Sequence, residues 1–489
     1  AAVAASAGLA AGAGSIGVSL ASSKIGRDSA LNEANRDANE ANGNADLPIR
    51  EHATRVTVSG SHFDAASDIV LTSNAIESQK VSVTAASVSI AIGMGAAGAA
   101  AGLDVIIENH SLVEAISSNT SMKAAGSITV ESNSDTEITD FGGNTMVGTA
   151  TAVSGTAVAI SVSLLTVNVA NTSHADILSD EDNAASVEAG GDILVDATSL
   201  TKLTDLNGVG VTLAGGSYAA AGGGLDITLL VGNDVRAQID LGNRARTVKA
   251  AGSITVNAFE DVDMSSNIAN VSIAAAPIGL AVGAATMLSR HTSRVVSRID
   301  QATVSGESVL VNAYGDLDIT RTQGTGITVG AIAVVVNVSN AEARGLVKAE
   351  VNDAVVTASD AVEVKARYDA FVRAATFGVS AGLGAVGAMN ASTQAGLGQD
   401  GDAHVNISGA SELKGVRVTV SAEVNSDLFT ATTVGGGGGF AGVGAVSRVD
   451  DDTTSLISVG AGTNVLATSV NIGASADRST DGTADAYAY

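Results

Sequence analysis

The sequence predicts an all-β chain wound as a parallel β-solenoid (β-helix) of about eight repeats of 52–65 residues around a thin Gly/Ala/Val-rich core. Three observations predict it. The first is a recurring segment in which a small-residue turn enters a short β-branched strand. AAGSITV stands at 124–130 and, letter for letter, at 250–256, with AGGDILV at 189–195. Looser copies are AASDIVL (65–71), SGESVLV (305–311), ASDAVEV (358–364), KGVRVTV (414–420) and LATSVNI (466–472). Their first strand residues are Ile69, Ile128, Ile193, Ile254, Val309, Val362, Val418 and Val470, spaced by 59, 65, 61, 55, 53, 56 and 52 residues. A near-constant period of this size marks a repeat architecture. The second observation is composition. Aromatic residues are 2% of 489, Trp is absent and Gly numbers 56, which lacks bulk for a wide core but suits two sheets in close approach. The third is proline. Only Pro48 and Pro277 occur, as suits a chain of paired strands, since Pro removes a ladder donor.

Within a repeat the elements follow one order. After the anchor comes a polar strand rich in Thr, Asp and Ser, as at 131–140, and then a Gly/Ala/Val segment such as 146–169. In that segment Val158, Ile160, Val162 and Leu164 share one parity, and Val167 and Val169 the other. Period two argues strand, and the change of parity predicts a bulge or bend near Leu165. An Asn-containing corner follows, then a short A-x-I strand (Ala175-Asp176-Ile177, Ala237-Gln238-Ile239), then the turn into the next anchor. One unit cannot bury its apolar face alone, so neighbours stack on it. Strands of successive coils then pair in parallel about 4.8 Å apart. One wide coil per repeat and several narrow ones both satisfy the spacing. Glycines such as Gly93 and Gly98 are expected to face the thin core, where a large side chain would overpack it. Residues 1–489 thus read as one elongated body, broken at 24–55 by a polar insertion containing RDSALNEANRDANEAN. This insertion reads as a loop or a short helix capped by Asp28 or Ser29.

The net charge of −26 argues against nucleic acid, whose phosphates would be repelled, and against anionic membranes. It favours solubility, divalent cations or a salty medium. The absence of Cys excludes a disulfide framework and Cys-based metal sites. The opening AAVAASAGLAAGAG has neither Met nor a basic region and reads as the middle of a repeat rather than a signal peptide. The apolar runs 90–103 and 273–288 are shorter than the roughly 18 residues of a membrane helix, and the 2% aromatic content opposes the aromatic girdles of an outer-membrane barrel. Membrane insertion is therefore not expected.

An Asn recurs near the corner, at Asn109, Asn171, Asn233, Asn340 and Asn390. Stacked Asn side chains bond to one another and to backbone in repetitive β structure, so a structural ladder is expected there. The alternative is glycosylation, because Asn109, Asn171 and Asn390 head N-x-S/T triplets, as do Asn119, Asn270, Asn337 and Asn406. Two acidic clusters, Asp180-Glu181-Asp182 and Asp450-Asp451-Asp452, carry hard oxygen ligands of the kind that hold Ca²⁺; their plain reading is solvated acidic turns. The tandem calcium nonapeptide is absent, with only a fragment at 222–226. The run 435–439 lacks the Lys-Ser/Thr of a phosphate loop. The six His residues (His52, His62, His110, His174, His291, His404) are scattered without a ligand or triad spacing. No enzyme and no cofactor are expected.

The order of small-residue strand, Asn corner, A-x-I and A-G-x-I-x-V resembles very large repetitive bacterial surface and secreted proteins, of the filamentous-haemagglutinin adhesin and leukotoxin-repeat types. The resemblance covers nearly the whole chain outside 24–55. It implies a β-solenoid shaft exported to the cell surface, a stalk presenting a binding tip. The expectation is a structural segment of an extracellular bacterial fibre, sheath or adhesin shaft. Its partners would be copies of itself or further repeats, because the apolar residues 1–18 and the strand-like 469–474 read as internal coils, and an unpaired end strand is a template for another. The other reading is a binding module that holds a glycan, a host surface or calcium on the solenoid face or the 24–55 insertion.

Overall fold

The structure, a computed structural model, describes residues 2–10, 12–26, 52–91, 95–140, 145–180, 185–396 and 402–489. These residues form 32 strands and no helix, wound as a parallel β-solenoid. One coil shows the plan. A lead-in strand Thr247–Ala250 enters a long strand Ile254–Ala275; a tight turn leads to a return strand Ile278–His291, and a corner strand Arg294–Asp300 completes the circuit. Lead-in and long strands build a 17-stranded sheet, and return and corner strands a 15-stranded one. Each strand pairs in parallel with its counterparts in the coils before and after.

The register decides between wide and narrow coils. Ile69 pairs with Ile128, Ile128 with Ile193, Ile193 with Ile254, and the column continues through Val309, Val362, Val418 and Val470. One repeat is one wide coil. The anchor's spelling follows from the stack. Ser127 N–H donates to Asp68 Oδ1 in the coil below at 2.7 Å, and Ser253 N–H to Asp192 Oδ1 at 2.7 Å. These carboxylates lie so close to Gly126 and Gly252 that a Cβ on either glycine would collide with them.

Each coil has two unlike halves. In the body, the first half of the long strand faces the corner strand and the end of the return strand, and Ile128, Val130, Ile138, Val167 and Ile177 fill the interior at 0–1% exposure. Ser132 Oγ and Ser173 Oγ meet across it at 2.9 Å. In the other half, which we call the wedge, the end of the long strand faces the start of the return strand. Here the inward residues are small: Ala150, Ala152, Ala157, Ala159, Ser161 and Ser163. The sheets approach so closely that a Cβ added to Gly210 would stand 2.8 Å from Leu225 Cδ1, and one added to Gly436 2.7 Å from Val443 Cγ1.

Three expectations are corrected. The strand Thr156–Val169 carries no bulge at Leu165 and pairs with both neighbours without a register shift. Its change of parity has another cause: Val158, Ile160, Val162 and Leu164 face outwards, whereas Leu165, Val167 and Val169 face the body's core. The irregularity lies instead in the long strands, between Leu203 and Leu206, at Met264/Ser265 and between Ile319 and Thr322, where body passes into wedge. Gly98 faces solvent, with nothing within 4 Å of an added Cβ; Gly93 lies outside the described residues. Finally, the ends of the 24–55 segment are strand. Residues 24–26 close Ala13–Gly26 and residues 52–55 open His52–Ser59, which pair with His110 and Ser111 at consecutive ladder positions. Residues 27–51 lie outside the described residues. An insertion between adjacent rungs leaves the ladder itself intact.

Candidate functional site

The five corner asparagines do not form one column. Asn171 and Asn233 do stack. Asn171 Oδ1 accepts from Ser111 N–H at 3.0 Å and Ser111 Oγ at 3.1 Å, its Nδ2 donates to Thr136 Oγ1 at 2.8 Å, and its N–H donates to Asn233 Oδ1 at 3.0 Å. Asn233 Nδ2 in turn donates to Thr201 Oγ1 at 3.0 Å and Glu260 Oε1 at 2.9 Å. Asn109 sits two residues earlier, buried opposite Val169. Asn340 pairs with Leu288 and Ser392, and Asn390 with Val338 and Val446, both on the outer face of return strands. A displacement of one or two residues moves a side chain to another rung or another face. Glycosylation fails at four triplets, because Asn109, Asn171, Asn270 and Asn337 are 0–1% exposed.

The two acidic clusters are held by local hydrogen bonds, the second at the end of the strand Phe440–Asp451. Asp180 is exposed and exchanges hydrogen bonds with Asn119, accepting from its Nδ2 at 2.8 Å and donating N–H to its Oδ1 at 2.8 Å. Glu181 and Asp182 lie outside the described residues. Asp450 pairs with Arg448 at 2.8 Å. Asp451 accepts from Thr453 N–H at 3.0 Å, Thr453 Oγ1 at 2.7 Å and Ser426 Oγ at 2.6 Å, while Asp452 is exposed. Among the described residues, no three His, Asp or Glu side chains converge as metal ligands would.

The structure assembles a different acidic feature from residues that the sequence leaves scattered. Seven residues after the anchor, Asp261, Asp316, Asp369, Asn425 and Asp477 form one outward column; nine residues after it, Asp263, Asp318, Phe371 and Asp427 form the next. Between them runs a groove of about 310 Å³ lined by Asp316, Asp318, Asp369, Phe371, Asp427 and Asp477. Partial burial raises the carboxyls of Asp261, Asp263, Asp316 and Asp318 above the usual carboxylate range, and neighbouring carboxylates push Asp263 and Asp318 further. Tyr314 donates its hydroxyl to Asp369 Oδ2 at 2.8 Å and Asp316 Oδ2 at 3.1 Å. Burial and the bond to Asp369 hold that phenol above its ordinary range. Such a strip repels anions and concentrates cations. The signal is Asp at anchor +7 and +9, legible once the register is known.

Polar side chains of the corner strands and the core meet one another in pairs. Arg236 Nη2 meets the fully buried Asp176 at 2.7 Å, and burial raises that carboxyl despite the arginine. Deeper still, Glu260 and His291, each 1% exposed, meet at 3.1 Å, with Tyr368 Oη 3.4 Å from His291 Nδ1. This polar cluster is enclosed and offers nothing to a solute.

The wedge presents the opposite chemistry. Asp, Glu, Lys, Arg and His are all absent from 1–23, 81–103, 141–173, 206–225, 264–289, 322–341, 374–399 and 428–447, so the wedge is uncharged coil after coil until the last long strand, where Asp481 and Asp485 stand beside Phe429 and Thr433. Its outer face is also the apolar one. On the return sheet the row Val158, Ile160, Val162, 41–48% exposed, lies between Gly98, Ala100, Gly102 of one neighbouring coil and Ala220, Gly222, Gly224 of the other. Ile332, Val334 and Val336 form another bulky row, next to Gly384, Val386 and Ala388. Sequence periodicity alone suggests that these large residues face a core; the structure turns them to the outside. No family model, curated protein or solved structure matches this chain.

Proposed function

We propose that the chain is a structural segment of an extracellular bacterial fibre, sheath or adhesin shaft. Its partner is another coil of the same kind, from its own continuation or from a further copy. One observation carries the reading: eight anchors, Ile69 through Val470, stack in one unbroken parallel register in which each coil covers the one before it. A stack of this kind lengthens by adding like coils, each burying its neighbour's apolar face and pairing its strand edges. The textural resemblance to filamentous-haemagglutinin-type adhesins and leukotoxin-type repeats supports the same assignment and an extracellular or cell-surface location. Negative-stain microscopy and light scattering across salt concentrations test it. Eight coils span about 38 Å at the usual strand spacing, so rods of constant width and lengths in steps of roughly 40 Å are expected, longer in high salt where self-repulsion is screened. Single-length particles at every protein and salt concentration, with both termini mapped as native ends, would overturn the reading.

The second reading is a binding module. The carboxylate strip around Asp316, Asp318 and Asp369 favours calcium over a glycan or a host surface, drawn by the field of the strip rather than by a converging set of ligands. Calorimetric titration with calcium at physiological salt decides it: saturable heat supports a binding module, and no heat with an unchanged melting temperature dismisses it.

A further inference from the structure

We infer that the wedge's return-sheet face pairs side by side with the same face of a second copy, so that two solenoids run laterally joined. Three observations combine. First, the face is inside-out: small residues fill the interior while Ile160, Val162 and Val336 stand 39–48% exposed, an arrangement that burial within one chain does not explain. Second, its size is right. About 20 Å of uncharged strand across roughly 38 Å of stacked coils gives on the order of 800 Å², the area one partner contributes to a standard stable interface. Third, its relief is complementary to itself. The bulky row of Ile160 lies between rows of Gly and Ala, so a copy staggered by one coil sets that row over a small one, in the manner of interdigitated sheets, while the adjacent rows of Leu280 and Ile332 meet as an apolar band.

Electrostatics fixes the orientation. With the strands of the two copies antiparallel, the wedges overlap and the two acidic bodies lie on opposite sides, far apart. Parallel strands would bring the bodies together and add their repulsion. The negative charge that opposes random clumping thus leaves one lateral contact open. A lipid surface fits less well. The rim of the face carries Asp104 and Asp226, and Arg290 there is paired with Glu342; the chain has no Trp and 2% aromatic residues, where membrane-seated sheets place aromatic girdles. The contact is independent of end-to-end stacking: particle width reports the lateral pair and particle length the axial stack.

Negative-stain microscopy with sedimentation analysis of the full chain tests the pair. The parent should be two solenoids wide, and the double variant Ile160→Asp, Val336→Asp should lose the double-width species while keeping the parent's β circular-dichroism spectrum. Thr129→Asp, on the outer face of the body, should leave the width unchanged. Because the chain has no Cys, a spin label at Ile160→Cys reports the contact without a charge substitution, and dipolar distances between copies within roughly 20 Å are expected from sheets about 10 Å apart. Single-width parent particles, a width indifferent to the two aspartates, or no intermolecular distance at Ile160→Cys would each overturn the inference. So would a single-width parent that floats with neutral phosphatidylcholine vesicles, since lipid would then be the occupant.

Discussion

Asp318 stands on the outer face of the body with Asp316 two residues before it and Asp263 beside it in the neighbouring coil. Its carboxyl is raised by partial burial first and by Asp316, Asp263 and Asp261 after that. A carboxyl raised above its unfolded value keeps a proton that the unfolded chain has lost, so stability falls as pH rises through the window from the ordinary carboxylate value to the raised one. Melting temperature should therefore climb as pH is lowered from neutral towards the ordinary carboxylate range. It should fall again only at lower pH, where Asp234, held low by its hydrogen bond with His174, begins to protonate. Asp318→Asn should stabilise the chain at pH 7 by roughly 0.5 kcal/mol, the scale of a relieved cross-strand like-charge contact, and flatten this pH profile. A profile that rises steadily with pH across that range would contradict the ladder's like-charge character. In the interior the sign reverses. His291→Ala removes one of the two hydrogen-bond partners of the buried Glu260 and leaves only Asn233, which should cost about 1–3 kcal/mol in a urea titration. A loss below about 1 kcal/mol would mean that the carboxylate finds water there.

The wedge and the body differ in what a side chain meets, and glycines report the difference. Gly210→Val should destabilise by about 1–3 kcal/mol, the cost of overpacking, because its Cβ would press on Leu225 at 2.8 Å. Gly98→Val, with open space beyond its Cβ, should stay within about 0.5 kcal/mol of the parent. Equal unfolding midpoints for the two variants would show that the wedge interior is not thin. Much at this scale is legible in the sequence. The eight anchors lie in one column because a β-branched residue after a small-residue turn has to meet its counterpart in the next coil, and the letter period carries that information. The direction of side chains is not legible in the same way. Alternation in 156–169 gives the strand, but Val158 and Val167 carry the same letter and face opposite ways, because which parity points inward depends on the separation of the sheets. The asparagines teach the same lesson: Asn171 and Asn390 each follow the apolar strand, yet only the first falls on the rung where an amide above and a hydroxyl below can receive it. The acidic columns were hidden for a related reason, since Asp261, Asp316 and Asp369 become neighbours only when the repeat length is converted into register.

At the scale of the whole molecule the chain is a charge-segregated solenoid: an acidic body with an aliphatic core on one side, and on the other a wedge with an alanine and serine interior, uncharged up to the last coil. Stacking of its coils and pairing of its faces both require each repeat to be a single wide coil in unbroken register. That claim has a direct test. Thr129, Leu194, Thr255, Leu310, Glu363, Thr419 and Asn471 occupy one column immediately after the anchors, and all are open to single-cysteine labelling in a cysteine-free chain. Pulsed dipolar spectroscopy should measure separations from Thr129 of about 19 Å to Glu363, 24 Å to Thr419 and 29 Å to Asn471, a steady increase of about 4.8 Å per repeat. Increments of about 10 Å per repeat would mean two narrow coils in each repeat, and separations that do not grow linearly would contradict the solenoid itself.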